Sequence, residues 1–181
     1  MQEVDETLKY PVGRYEPPAG YSKEDLEEWI AILSALPSWM DGCIQNLDYD
    51  QLRVPYRPGG WTIQQVIHHL ADSHMNAYIR FKLALTENNP TIKPYDQDAW
   101  ALLPDVEEVP VNISVTLLHA VHRRLVSLLQ HMDDAAWQRT YYHPEYKKSF
   151  PLWEVVALYA WHSRHHFGHI MGLRQRMGWH I

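Results

Sequence analysis

An all-α four-helix bundle with a long crossover loop is the fold that this 181-residue sequence predicts. Three observations predict it. Four stretches repeat apolar residues at the helical steps of three and four. No stretch alternates apolar and polar residues convincingly enough for a strand. A proline-rich run between the second and third stretches is long enough to cross a bundle.

Taken in order, residues 1–21 hold Pro11, Gly13, Pro17, Pro18 and Gly20, which resist regular structure and read as an N-terminal arm; residues 22–181 read as the bundle domain. Ser22 can cap the first helix, with Glu24 and Asp25 in its first turn and Leu26, Trp29, Ile30, Leu33 and Leu36 at helical spacing. Pro37 should kink the chain there and open a further segment that runs to about Leu47. Thr62 and Gln65 form a capping-box pattern, after which Ile63, Val66, Ile67, Leu70, Ala77, Tyr78, Phe81 and Leu85 carry the second long helix to about Thr86. From Asn88 to Val111 the chain holds Pro90, Pro94, Pro104 and Pro110 with little periodicity, and this is the crossover. Ser114 to His131 is the third long helix, with Val115, Leu118, Val121, Leu125 and Leu128 on one face and Asp133 punctuating its end. The fourth opens near Pro151 and stops at Gly178, proline at the first turn and glycine just past the last.

Composition narrows the function. With 46% hydrophobic residues the chain can bury the core of one domain. A formal net charge of −6 offers no broad basic surface, so nucleic acid is not an expected partner. No apolar run approaches the roughly 20 residues of a membrane span. The opening MQEVDETLKY lacks the basic and apolar regions of a signal peptide, so a cytoplasmic protein is expected. Cys43 is the only cysteine and reads as core; a metal would therefore have to be held by histidines and carboxylates.

Histidine is where the chemistry concentrates. Counting along the fourth helix gives a seam of Leu152, Val155, Tyr159, His162, His166, Ile170, Leu173 and Met177, with two histidines where apolar residues belong. Burying two neutral imidazoles leaves ring nitrogens that cost about 1–3 kcal/mol each when unsatisfied, and side chains four apart can aim at one point. A metal would satisfy both. His165 and His169 form a second such pair, so spacing alone does not choose. Gly168 and Gly172, also four apart, could admit another helix at close range. A third ligand would come from VIHHLADSHMN, Val66 to Asn76. There the apolar arc places His74 on the core face, while His69 shares a polar line with Gln65, Asp72 and Asn76.

The stretches GGWTIQQVIHHLADSHMNAYIRFK, PTIKPYDQDAW and YAWHSRHHFGHI, in that order, resemble the YfiT branch of the DinB-like superfamily over roughly Tyr56 to Met177. The loop reads PYDQ, with Gln97 where PYDE is commoner. The resemblance implies a four-helix bundle, a homodimer and one divalent metal ion per chain, zinc or nickel. It implies the ligands His69, His162 and His166, and so favours His69 over His74.

Three neutral imidazoles leave a coordination position open, the catalytic pattern for zinc, and a water placed there has its pKa lowered to about 7. The branch is described as metal-dependent hydrolases of small-molecule substrates. Relatives in the superfamily instead use low-molecular-weight thiols such as bacillithiol in transfer or isomerisation, and a non-catalytic metal-binding bundle is a further alternative. Asp72, three residues after His69, is placed to orient an imidazole or act as a base. Tyr95 and Asp96 in the crossover, and His165 beside the pair, are the expected substrate contacts.

Overall fold

Side-chain caps decide where the helices begin. Ser22 and Asp25 close a reciprocal capping box on α2 (Lys23–Ile44), and Thr62 and Gln65 close another on α4 (Ile63–Thr86), satisfying backbone N–H groups that a helix start leaves bare. The computed structural model describes residues 6–180. The first five residues of the expected arm, and residue 181, lie outside them. In chain order the described elements are α1 (Glu6–Lys9), α2, α3 (Tyr49–Leu52), α4, α5 (Gln97–Trp100), α6 (Pro104–Glu108), α7 (Val111–Leu129), α8 (Asp134–Trp137), β1 (Thr140–His143), β2 (Lys148–Pro151) and α9 (Leu152–Met177).

The four long helices α2, α4, α7 and α9 close a ring in which α2 and α4 each pack against both α7 and α9. The second long helix runs to Thr86, as its periodicity indicates, and α9 ends on Gly178, whose φ of 69° is the left-handed conformation glycine adopts without penalty. α7 starts three residues earlier than expected, because Pro110 supplies an N-cap with its backbone already set. α2 continues unbroken through Pro37 to Ile44, in place of the expected separate segment. Cys43 is fully buried.

The sequence reading contained no strand, and here the structure differs. β1 and β2 form an antiparallel hairpin, with Thr140 opposite Pro151 and His143 opposite Lys148. Each strand is four residues long, too short for a period-of-two pattern to register. Its turn contains no glycine: Lys147 takes the left-handed position, at φ 51°. The hairpin pins the start of the crossover, since Ile92 N–H donates to the Tyr142 carbonyl at 3.0 Å and Tyr142 N–H to the Pro90 carbonyl at 2.9 Å.

The core has two apolar halves. One gathers Leu33, Ala77, Phe81, Leu125, Leu129, Leu152 and Val155; the other Leu36, Met40, Ile67, Leu70, Leu118, Ile170 and Leu173. Between Leu70 and Ala77 on α4 lies His74, and between Leu118 and Leu125 on α7 lies His122, both buried. A histidine layer therefore separates the halves.

Gly168 does admit a close neighbour, but it is Pro11 of the arm and not a helix: a Cβ at Gly168 would sit 2.9 Å from the Pro11 ring. At Gly172 the nearest atom is the far end of the Arg176 side chain, at 3.3 Å, which donates to the Tyr56 carbonyl. Gly168→Ala should therefore destabilise the fold by about 1–3 kcal/mol through overpacking, whereas Gly172→Ala should be neutral or stabilise by up to about 1 kcal/mol through helix propensity. Urea unfolding of both variants checks this; equal effects would refute the arm contact.

Candidate metal centre

The register of two helices makes the site. One turn of α9 puts His162 and His166 one above the other, with ring centroids 4.5 Å apart, and α4 brings His69 across to them. One ring nitrogen from each of the three lies within 4.8 Å of the others. His69 Nε2 and His162 Nε2 are 3.2 Å apart. His69 and His166 are buried, while His162 is only partly so. Trp61 lies across His69, with ring centroids 4.6 Å apart. A cavity of about 450 Å³, lined among others by Tyr10, Arg57, Trp61 and Trp161, opens onto His69, His162 and His166.

Hydrogen bonds behind His162 and His166 fix which nitrogen of these two rings carries the proton. The first chain starts at the Leu33 carbonyl, which accepts from His122 Nδ1–H at 2.5 Å. A carbonyl can only accept, so His122 bears its proton on Nδ1 and offers a lone pair at Nε2. That nitrogen lies 3.0 Å from His74 Nδ1, and His74 Nε2 in turn lies 3.2 Å from His162 Nδ1. With each ring neutral, the direction propagates: His74 donates to His122, His162 Nδ1–H donates to His74, and His162 Nε2 is left with a free lone pair facing His69. The second chain starts at the Lys9 carbonyl in the arm, which accepts from His169 Nε2–H at 3.0 Å. His169 Nδ1 then accepts from His166 Nδ1–H at 3.4 Å, leaving His166 Nε2 with its lone pair. This is how metal-binding imidazoles are oriented in proteins.

The rings are neutral because burial disfavours their charged form. Desolvation, followed by the neighbouring histidines, pushes His74, His162 and His166 well below 6.5. Burial and His165 bring His69 down to about 4, and burial brings His122 to about 4. His68, the other histidine of the pair on α4, turns away: its Nδ1 lies 2.8 Å from the Ser114 hydroxyl and its Nε2 3.1 Å from the Val109 carbonyl.

The remaining sequence-predicted residues are placed as follows. His165 is buried in the same cavity, stacked on Trp161 at 4.4 Å, and its Nδ1 has no hydrogen-bond partner among the described residues. Tyr95 and Asp96 line a second cavity, which shares His162 with the first. Asp96 also accepts from Asp98 and Ala99 N–H, capping α5. Asp72 lines neither cavity. Burial, then Asp105, pushes its carboxyl up to about 6. His122 escaped the sequence reading, although it lies four residues after Leu118 and three before Leu125, the same seam signal that exposed His162. His74, chosen by periodicity, stands behind His162 instead of beside it.

A four-helix bundle in which two helices present three histidines to one point defines a candidate metal-site bundle, and the DinB superfamily profile matches residues 33–170; the chain belongs to that superfamily. It is 46% identical to YfiT of Bacillus subtilis (strain 168), over 95% of this chain and 97% of that protein. A protein of Bacillus mycoides (strain KBAB4) is also 46% identical, over 95% and 98%. Both carry names that offer metal-dependent hydrolase as a provisional assignment. The solved structure of Bacillus subtilis YfiT, described as "a probable metal-dependent hydrolase with an unusual four-helix bundle topology", matches with a TM-score of 0.93 and 45% identity over 96% of this chain and 99% of that one. A mycothiol-dependent maleylpyruvate isomerase shares the fold at a TM-score of 0.59 and 18% identity, over 82% of this chain and 60% of that one.

Histidines held neutral make stability depend on pH. In the unfolded chain they titrate near 6.5, in the folded chain at about 4 for His69 and His122. The unfolded state thus binds more protons between those values, and stability present above 6.5 is lost as pH falls through that window. Asp72, raised to about 6, acts in the opposite sense, but as one group against several. Calorimetry on metal-stripped protein should show Tm falling by at least about 10 °C from pH 7 to 5. An unchanged Tm would mean that these imidazoles are not held neutral by the fold.

Proposed function

We propose that this protein is a metal-dependent hydrolase in which His69, His162 and His166 hold one divalent cation, zinc or nickel, against a small-molecule substrate. The observation that carries the reading is the pair of hydrogen-bond chains that leave His162 and His166 each with an Nε2 lone pair, that of His162 3.2 Å from His69 Nε2. Such a donor set suits zinc or nickel, which favour imidazole nitrogen, and three ligands leave room for substrate. When bound, the cation supplies Lewis acidity and makes water acidic near neutral pH.

The chain's own groups do the rest. His74 and His122 hold the His162 ring in orientation from the core side, and His169 holds His166 from the arm side. Trp61 and Trp161 wall the cavity with apolar surface that limits water around the histidines. Tyr95, Asp96 and His165 are read as substrate contacts from the two cavities that meet at His162. Asp72, one turn after His69 on α4 with its carboxyl pushed up to about 6, is assigned the general-base role, exercised through an intervening water because it lines neither cavity.

Metal analysis by plasma emission, on tag-free protein reconstituted with zinc or nickel, tests the site. About one metal per chain is expected, lost in His69→Ala and His166→Ala. His74→Leu should weaken zinc binding by about 10–100-fold, while His74→Gln, whose amide oxygen can still accept from His162, should retain most of it. Failure of the wild type to take up either metal would end the reading. Loaded protein should then cleave members of an ester and amide panel with no thiol added, and Asp72→Asn should lower that rate by about 100-fold or more. Turnover only with bacillithiol or glutathione present would replace hydrolysis with thiol transfer.

A further inference from the structure

The second cavity, about 580 Å³ between α4, the crossover and the hairpin, contains a charge that the fold leaves without a counter-ion. Arg80 is 9% exposed and lines this cavity. Its side chain bonds the Tyr141 hydroxyl and feels Tyr95, both neutral phenols whose ionisation burial opposes. Among the described residues no carboxylate forms an ion pair with it. Glu154 is taken up by Lys148 at 2.8 Å, and the two carboxylates that line the cavity, Glu145 and Asp96, are both exposed, Asp96 capping α5. A guanidinium has five N–H donors, and burying one without an anion costs several kcal/mol. His143, 7% exposed, lines the same cavity, and its buried Nδ1 has no hydrogen-bond partner among the described residues. A cost of this kind persists in a fold where a ligand repays it.

Resting on the hydrolase reading, we infer that this cavity binds the anionic end of the substrate, a carboxylate or phosphate seated on Arg80 and His143 with the Tyr95 and Tyr141 hydroxyls beside it. Arginine is suited to this task because its planar fork matches two oxygens of either group. Tyr146, Phe150 and Leu158 line the same cavity and suit an apolar body. The reach follows from the helix. Arg80 lies eleven residues after His69 on one face of α4, about 16 Å along the axis, and both side chains lean back toward the N-terminus, the longer arginine further. The substrate therefore spans roughly 10–16 Å between its anionic end and the group presented at the three histidines.

Simple probes test this without knowledge of the substrate. Benzoate, phenyl phosphate and neutral benzamide are titrated into the full chain by calorimetry and by amide-resolved NMR, in zinc-loaded and chelator-treated protein. At least one anion should bind about tenfold or more tightly than benzamide in both forms, with shifts centred on Ser73, Arg80, Tyr95 and Tyr141. The anion that gains names the source, carboxylate or phosphate; gain by both means that any small oxyanion is accepted. Arg80→Met should abolish the preference, Arg80→Lys should reduce it, and His166→Ala should keep it. No preference over benzamide in the wild type, or shifts centred on the three histidines, would overturn the inference whether or not the variants fold. Because the chelated arm needs no metal, failure of the metal site leaves this test intact, and zinc binding without anion preference would refute the subsite alone.

Discussion

A proline sets the polarity of the candidate metal site from the far side of the core. Pro37 has no N–H, so the Leu33 carbonyl, which in an ordinary helix would accept from residue 37, is without that partner. His122 takes the vacancy at 2.5 Å, and the direction of every later hydrogen bond follows from that one acceptor. His74 must donate to His122, His162 must donate to His74, and the nitrogen that faces His69 must be bare. Were Leu33 capped by a helical N–H alone, nothing would decide which end of the chain carries the protons. The buried helix-interior proline, a defect by helix propensity, is here the source of polarity.

That chain lies in the histidine layer between the two apolar halves of the core, and the layer carries risk. Buried imidazoles with unmatched nitrogens each cost about 1–3 kcal/mol, so a partly satisfied layer would be worse than leucine. Here the terminal acceptors are backbone carbonyls, one in α2 and one in the arm, which cannot rotate away or change protonation. Fixing the ends with backbone is what allows three side chains in series to behave as one rigid unit. The arm has a second function in this light. Pro11 seats against Gly168, where a side chain would collide, and this contact holds the preceding Lys9 carbonyl within reach of His169.

The helices were legible because their signals are local: two capping boxes, a proline start and a glycine stop each act within one turn. The hairpin was not, because four-residue strands carry too few residues for a period to show, and their place depends on backbone bonds to Pro90 and Ile92, about fifty residues before Tyr142, that pattern alone cannot supply. For the site, the seam count on α9 brought out His162 and His166. On α4 periodicity preferred His74 because it measures burial, and His74 is indeed fully buried. It could not distinguish an imidazole that faces the open cavity from one that stands behind it, since that depends on which helix lies opposite. Pro37 read as a break, because its local effect is visible in sequence while the acceptor it frees matters only to α7.

The division of labour along α4 explains why so much chemistry is carried by one helix. Residues 69, 73 and 80 repeat at steps of four and seven, so His69, Ser73 and Arg80 occupy a single face, while Leu70, Ala77 and Phe81 occupy the face that packs into the core. A rigid helix fixes the distance between its polar groups better than two loops could. The two cavities meeting at His162 are then not independent pockets: one contains the cluster of imidazoles, the other the unneutralised guanidinium, and α4 is the ruler between them. A molecule engaging both must match that spacing, which makes length, more than head group alone, the property by which this fold would choose what it binds.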